Sequence, residues 1–252
     1  MKKHNKSTPL LTGCLLTGFA LTATAQITPT YQSSTTTGAY NSDIAVNLIQ
    51  AGQSSLSSVT ADASALNGIF SASGLNDGSA AGNGNLCYYE AVAGNGTFMP
   101  NTAIFHLNAG YNITSIQAIS GWGDHNLGEQ DFQLLLSIGG GAFTSYGTFV
   151  NNTANGTGPS ASGSYLTTLN GSSGPIATDV TGVEFIFQNP DTSNGVGSVG
   201  NSQAGNSSDG GTVIDELQVF GTVTPVPEPS TFALIGGGIL GLAASFRRRQ
   251  AR

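Results

Sequence analysis

Gly121-Trp122-Gly123-Asp124-His125 puts an indole, a carboxylate and an imidazole within four residues, beside glycines that expose backbone. That combination suits a sugar-stacking patch of Trp122, Asp124 and His125. Trp122 is also the only tryptophan, and large aromatics are mostly buried, so packing in the core is the favoured expectation for it. Asp124, Glu129 and Asp131 follow closely and have the residue types of a glycosidase acid/base pair. Such a pair is defined by a separation in space that linear order does not supply. His106 and His125 lack the His-x-x-His or Cys partners of a zinc site, so a structural role is expected for both. Cys87, in Leu86-Cys87-Tyr88-Tyr89, reads as a small apolar strand residue.

The remaining chemistry follows from where charge lies. The basic residues are Lys2, Lys3, Lys6, Arg247, Arg248, Arg249 and Arg252, and none falls between Gln26 and Phe246. The acids lie between Asp43 and Glu228 and have no cationic partner in that interval. Nucleic-acid binding needs cations that displace phosphate counterions, and bidentate capture of phosphate or carboxylate needs arginine. Both are excluded for the body. Cations and neutral polyols such as sugars remain as ligand classes. No Gly-x-Ser-x-Gly elbow, phosphate-binding loop or His-Glu-x-x-His occurs, so the chain is not expected to be an enzyme. A carbohydrate-active enzyme with a carboxylate acid/base pair is the alternative.

Both charged ends read as addresses. Lys2, Lys3 and Lys6 precede the mostly apolar stretch 10–21, and Ala23-Thr24-Ala25 offers small residues for cleavage before Gln26. That is the pattern of a secretory signal peptide over residues 1–25. Leu11-Thr12-Gly13-Cys14 looks like a lipoprotein box, but its apolar stretch is too short ahead of Cys14 and continues beyond it. With cleavage after Ala25, Cys87 is the only cysteine left and no intramolecular disulfide can form. At the other end, residues 231–246 are apolar and uncharged, a little short of the roughly 17–25 residues a spanning helix uses. Arg247, Arg248 and Arg249 hold the tail, residues 247–252, on the cytoplasmic side. Pro225, Pro227 and Pro229 keep the linker, residues 222–230, extended and accessible.

The elements that must position any site are strands. Strand patterns fall at residues 43–49, 86–92, 102–107, 114–120, 131–138, 143–150, 164–169, 183–188 and 212–220. They are separated by turn clusters such as Asn76-Asp77-Gly78, Gly139-Gly140-Gly141, Asn155-Gly156 and Asn194-Gly195. Residues 131–138 and 143–150 form a hairpin around the three glycines. Residues 151–163 and 189–211 are long, polar loops. No segment keeps helical periodicity over four turns. The expected body, residues 26–221, is an all-β, antiparallel β-sandwich between a signal peptide and a single C-terminal transmembrane helix.

Val226-Pro227-Glu228-Pro229-Ser230, a Gly-rich apolar helix and Arg247-Arg248-Arg249 resemble the PEP-CTERM sorting signal of Gram-negative bacteria. The resemblance implies recognition by an exosortase, a membrane protease of transpeptidase type that cuts near the Pro-Glu-Pro step. It also implies transient anchoring in the inner membrane, delivery to the cell surface or extracellular matrix, and association with extracellular polysaccharide. A second resemblance covers about residues 43–221. It rests on Leu75-Asn76-Asp77-Gly78, the stretch ITSIQAISGWGD, the stretch DFQLLLSIGGGAFTSYGTF, GVEFIFQN and IDELQVFG. Together these resemble the galactose-binding-like jelly roll of discoidin-type domains, without that family's pair of bridging cysteines. In that fold the Asp-Gly loop approaches the last strand around a structural calcium, which implies Asp77 and Glu216 as ligands. Asp77 alone would read as turn chemistry. Neighbours on a strand point to opposite faces, so only one of Asp215 and Glu216 is expected to face Asp77.

Overall fold

The computed structural model describes residues 26–36, 38–40, 46–61, 72–80, 87–89, 92–93, 97–98, 101–122, 130–151, 163–187 and 212–225. Residues 1–25, expected to be a signal peptide, and residues 226–252 lie outside this set. The strands, in chain order, are β1 Ile27–Ser34, β2 Leu56–Ala61, β3 Cys87–Tyr89, β4 Val92–Ala93, β5 Thr97–Phe98 and β6 Asn101–Trp122. They continue with β7 Gln130–Ile138, β8 Phe143–Asn151, β9 Gly163–Gly171, β10 Ala177–Phe187, β11 Thr212–Ile214 and β12 Glu216–Val223. A 3-10 turn at Ala72–Asn76 is the only helical element among the described residues. Every strand pairing is antiparallel.

One strand builds both layers. β6 is 22 residues long, far beyond the usual five or six. Its first part pairs with β2 on one side and β10 on the other, and β10 continues to β7 and β8. Its second part pairs instead with β12 and β9, and β9 continues to β1. The change of partners requires a bend. Val180 of β10 opposes Tyr111 while Gly182 opposes His106, so the register slips across residues 107–110. The two layers close on one core, as the alternation along β7 shows. Phe132, Leu134 and Leu136 are wholly buried on its inner face. Phe132 packs against Phe185, Phe187 and Phe149 with ring centres 5.7, 6.4 and 5.8 Å away, and Phe105 meets Phe185 edge-on at 6.2 Å. Ile113, Ile116, Ala118, Leu169, Leu217 and Val219 belong to the same cluster from the opposing layer.

Gln130 is an inward-facing polar residue at the start of β7. Its Nε2 donates to the carbonyl of Ala118 at 3.0 Å, to Ser120 Oγ at 3.0 Å and to the carbonyl of Tyr165 at 3.3 Å, while Thr167 Oγ1 donates to its Oε1. Every polar atom of the side chain is thereby satisfied across the sandwich, which is the condition for tolerating a buried amide.

The bend in β6 depends on a glycine. Asp179, in the register slip of β10, is the one non-glycine with positive φ among the described residues, at 57°. Its carbonyl accepts from Gly139 N at 2.8 Å, and its carboxylate lies over Gly110 where a Cβ would stand. Gly110→Ala is expected to cost about 1–3 kcal/mol by overpacking. Asp179→Gly in the same chain clears the overlap and relieves the left-handed backbone, so the double variant should recover most of that loss in a denaturant melt. An equally unstable double variant would show that Asp179 is not the obstacle.

The sequence reading needs several corrections. Residues 102–107 and 114–120 are parts of one strand rather than two. The expected strand at 43–49 is a turn where it is described, residues 46–49, because Asn47 bonds its side chain to backbone. β1 and β2 were not anticipated: both are edge strands with mostly exposed polar residues. The strand expected over 212–220 breaks at Asp215. The hairpin 131–138 and 143–150 stands as β7 and β8, with Gly139 and Gly140 at φ 55° and 76°. Among the described residues no helix is long and apolar enough to cross a membrane.

Candidate functional site

The carboxylates come together where the start of β12 meets the turn after Asn76. Asn47 makes the first tie. Its Oδ1 accepts from Val219 N at 2.9 Å and Ile49 N at 3.2 Å, and its Nδ2 donates to the carbonyl of Leu217 at 3.1 Å. Leu48 N donates to the carbonyl of Val219 at 2.8 Å. Residues 47–50 are thereby laid along the free edge of β12. The second tie joins this segment to the 3-10 turn. Gln50 Nε2 donates to the carbonyl of Asn76, and Asn76 Nδ2 to the carbonyl of Ile49, both at 2.6 Å.

These ties enclose Glu216, which has no exposed surface. Its Oε1 accepts from Asn47 Nδ2 at 3.3 Å and its Oε2 from Gly78 N at 3.1 Å. Gly78 has φ 88°, a conformation that brings its N–H over the carboxylate at no steric cost. Asp77 is exposed, and its Oδ1 accepts from Ser79 N at 2.8 Å, the turn chemistry expected of it. Asp215 is 2% exposed, and neither carboxylate oxygen has a hydrogen-bond partner among the described residues. Burial, reinforced by the charge of Asp77, pushes the Asp215 carboxyl up to about 8. Burial also dominates at Glu216, raised to about 8 against the opposing hydrogen bonds from Gly78 and Asn47.

The charge of Asp77 acts on both acids. Asp215 lies in the break between β11 and β12, outside regular strand geometry, so alternation does not govern it. Gln218, two residues beyond Glu216, is also fully buried with both amide atoms unpartnered among the described residues. Asn47, Gln50 and Gln218 were missed from sequence, since nothing in a polar loop or a strand amide marks it as buried on or beside β12. The donor chemistry here is hard oxygen, suited to calcium. Among the described residues no three His, Cys, Asp or Glu side chains form a metal-holding group. A cation at this place would therefore draw on backbone carbonyls as well.

The other expected site is only partly described. Trp122 is the last residue of β6, opposite Gly163 of β9; Asp124, His125 and Glu129 lie outside the described residues. Asp131 is buried on β7, facing away from the Phe132 side. His106 is exposed, its ring 6.1 Å from that of Phe143 in an edge-on contact. Cys87 lies on β3 opposite Ile214.

Comparison with known proteins defines the class. Residues 225–249 match the PEP-CTERM protein-sorting motif. The chain is therefore an exported protein whose C-terminus directs exosortase-type sorting to the cell surface through a transient membrane anchor. The body carried by that address is an antiparallel β-sandwich. Its structural neighbours include CpGH89CBM32-5 from Clostridium perfringens, in complex with GalNAc-beta-1,3-galactose, at 16% identity and TM-score 0.38 over 65% of this chain and 94% of that one. The family 32 CBM from C. perfringens NanJ, in complex with galactose, is similar at 17% identity and TM-score 0.39, covering 65% and 92%. An F5/8 type C domain from Bacteroides fragilis is similar at 13% identity and TM-score 0.38, covering 68% and 97%. Likeness at this level does not transfer binding residues. No match was found among curated protein sequences.

Proposed function

We propose that this is a non-catalytic protein of the cell surface or extracellular matrix that contacts neutral polysaccharide through its β-sandwich. The observation that carries the reading is the pairing of a cell-surface address at residues 225–249 with an exported body that has no Lys or Arg. Such a body offers nothing to phosphate or to acidic polymers, while its polar uncharged loops suit hydroxyl-rich ligands. Calcium fits the same reading as a structural ion. Asp77 and Glu216 would hold it, with Asp215 beside them, and the ion would supply the positive charge these carboxylates lack. It would tie the turn after Asn76 to the start of β12 from within.

The test is a binding screen of the full chain, in a detergent without sugar head groups, against a galactan, a glucan and a mannan, run beside a reducing-end hydrolysis assay. Binding without turnover is the expected outcome. Turnover abolished by Asp131→Asn would establish the carbohydrate-active enzyme instead, with Asp124 or Glu129 as the partner carboxylate. Binding weakened by Trp122→Ala would place the contact at Trp122, Asp124 and His125 and overturn the expectation that Trp122 packs in the core.

A further inference from the structure

The edges of the two layers part to form a cleft. β8 is the edge strand of one layer and β1 of the other. At the far end of β8 they are stitched together: Asn151 Nδ2 donates to the carbonyl of Gln32 on β1 and to that of Leu166 on β9, each at 3.2 Å. Toward the start of β1 a cavity of about 490 Å³ opens between the strands, lined by Gln26, Ile27, Thr144, Ser145, Tyr146, Gly147 and Phe149. That volume lies within the range of small-molecule sites, about 300–1,000 Å³.

The local backbone gives the cleft its shape. Gly147 pairs with Leu134 and Ser145 with Leu135, leaving Tyr146 as the extra residue of a β-bulge. Bulges redirect side chains and end regular pairing. Here Tyr146 and Gly147 are partly buried in succession, which breaks the alternation of β8. The bulge needs a glycine: Gly147 has φ 139°, and a Cβ there would stand 3.1 Å from the ring of Phe149. Phe149 is buried and forms the floor, Ile27 packs on the core from the β1 side, and Tyr146 lies between core and cavity. The Tyr146 phenol, like any tyrosine hydroxyl at neutral pH, is protonated and can donate, and burial shifts it further in that direction.

We infer that this cleft between β1 and β8 is a binding subsite for a neutral saccharide ring, stacked on the bulged Tyr146 and met by the polar edge of Thr144, Ser145 and Gln26. The chemistry of the lining selects the ligand. Among the described residues no Asp, Glu, Lys, Arg or His side chain lines the cavity, so a charged ligand would enter uncompensated. An aromatic face beside hydroxyl and amide groups matches the apolar face and hydroxyl rim of a sugar. The inference rests on the proposed polysaccharide contact and assigns it to a place distinct from Trp122.

The experiment titrates the full chain with galactan, glucan and mannan oligosaccharides, and with an oligogalacturonate as the charged probe. The expected result is binding of a neutral oligosaccharide, weakened at least tenfold by Tyr146→Ala and by Thr144→Arg, held within about threefold by Tyr146→Phe, and unchanged by Trp122→Ala. Thr144 is exposed on β8, so Thr144→Arg carries the decision if Tyr146→Ala lowers the melting temperature. Neutral binding that survives both Tyr146→Ala and Thr144→Arg overturns the cleft while leaving the polysaccharide contact in place. Binding of the oligogalacturonate alone overturns the neutral assignment. Absence of binding to every probe by the unaltered chain overturns both readings.

Discussion

Replacing Pro227-Glu228-Pro229 with three alanines is expected to abolish the processed form of the protein. The segment matches the sorting motif, and prolines at alternate positions keep its backbone out of the helical region. An extended, rigid segment is what a protease can lay in its active-site groove, whereas three alanines would let the helix expected from the sequence over residues 231–246 continue upward and bury the cut site in hydrogen-bonded backbone. The altered chain should therefore remain in the membrane fraction with its tail attached. The unaltered chain should yield a surface or released species with a new C-terminus near the Pro-Glu-Pro step. Cell fractionation with mass spectrometry of the C-terminal peptide reads both. The same mature C-terminus from both chains would remove this account of the tail. Exchanging Arg247, Arg248 and Arg249 for serine gives a second readout. Each arginine costs about 2.5–3.5 kcal/mol at the centre of a membrane helix, so together they prevent the tail from being pulled through. Their loss should let uncut chain escape the membrane.

The second large effect lies in stability against pH. Asp215 and Glu216 are both raised to about 8 in the fold, against about 4 in an unfolded chain. Between these values the folded chain holds protons that the unfolded chain has released. Stability is thus fully present below about pH 4 and falls as pH rises toward 8. One of the two protons, counted at half its displacement, is worth roughly 3 kcal/mol. For a body of this size that is about 6–12 °C in melting temperature. In a chelator, melting is expected to fall by this order between pH 5 and pH 8.

Calcium should cancel the fall, since an ion takes over the role of the protons and favours the ionised carboxylates. Its stabilising effect should therefore be largest at pH 8 and small at pH 5. Asp215→Asn separates the terms. Neither Asp215 oxygen has a hydrogen-bond partner among the described residues to lose, and the neutral amide removes one titrating group and one charge near Glu216. This variant should melt higher than the parent at pH 8 in chelator. Melting curves that neither slope with pH nor respond to calcium would show that the cluster is solvated and binds no ion.

What the linear sequence determined by itself is whatever depends on a residue and its near neighbours. Segregated charge, the apolar runs at both ends and the Pro-Glu-Pro step define export and sorting without any fold, because membranes and processing enzymes read extended or helical segments directly. The strands at residues 131–138, 143–150 and 164–169 were legible for the same reason: a short apolar run is a local pattern, and the glycines at 139–141 announce their own turn. Asp77 and Glu216 were named as partners only through resemblance to a fold.

The tertiary structure decided everything that depends on pairing between distant segments. It made β6 one bent strand serving two layers, and it recruited the polar β1 and β2, whose sequences carry no alternation because only an edge needed covering. It turned Asn47 from an expected strand residue into the clamp on β12, and it sealed Asp215 away from water beside Asp77. It redirected Tyr146 by one extra residue in a register that only β7 reveals. Burial and register are set by what a partner strand covers, across more than a hundred residues of chain in the case of Asn47 and Glu216. No window of sequence contains that information.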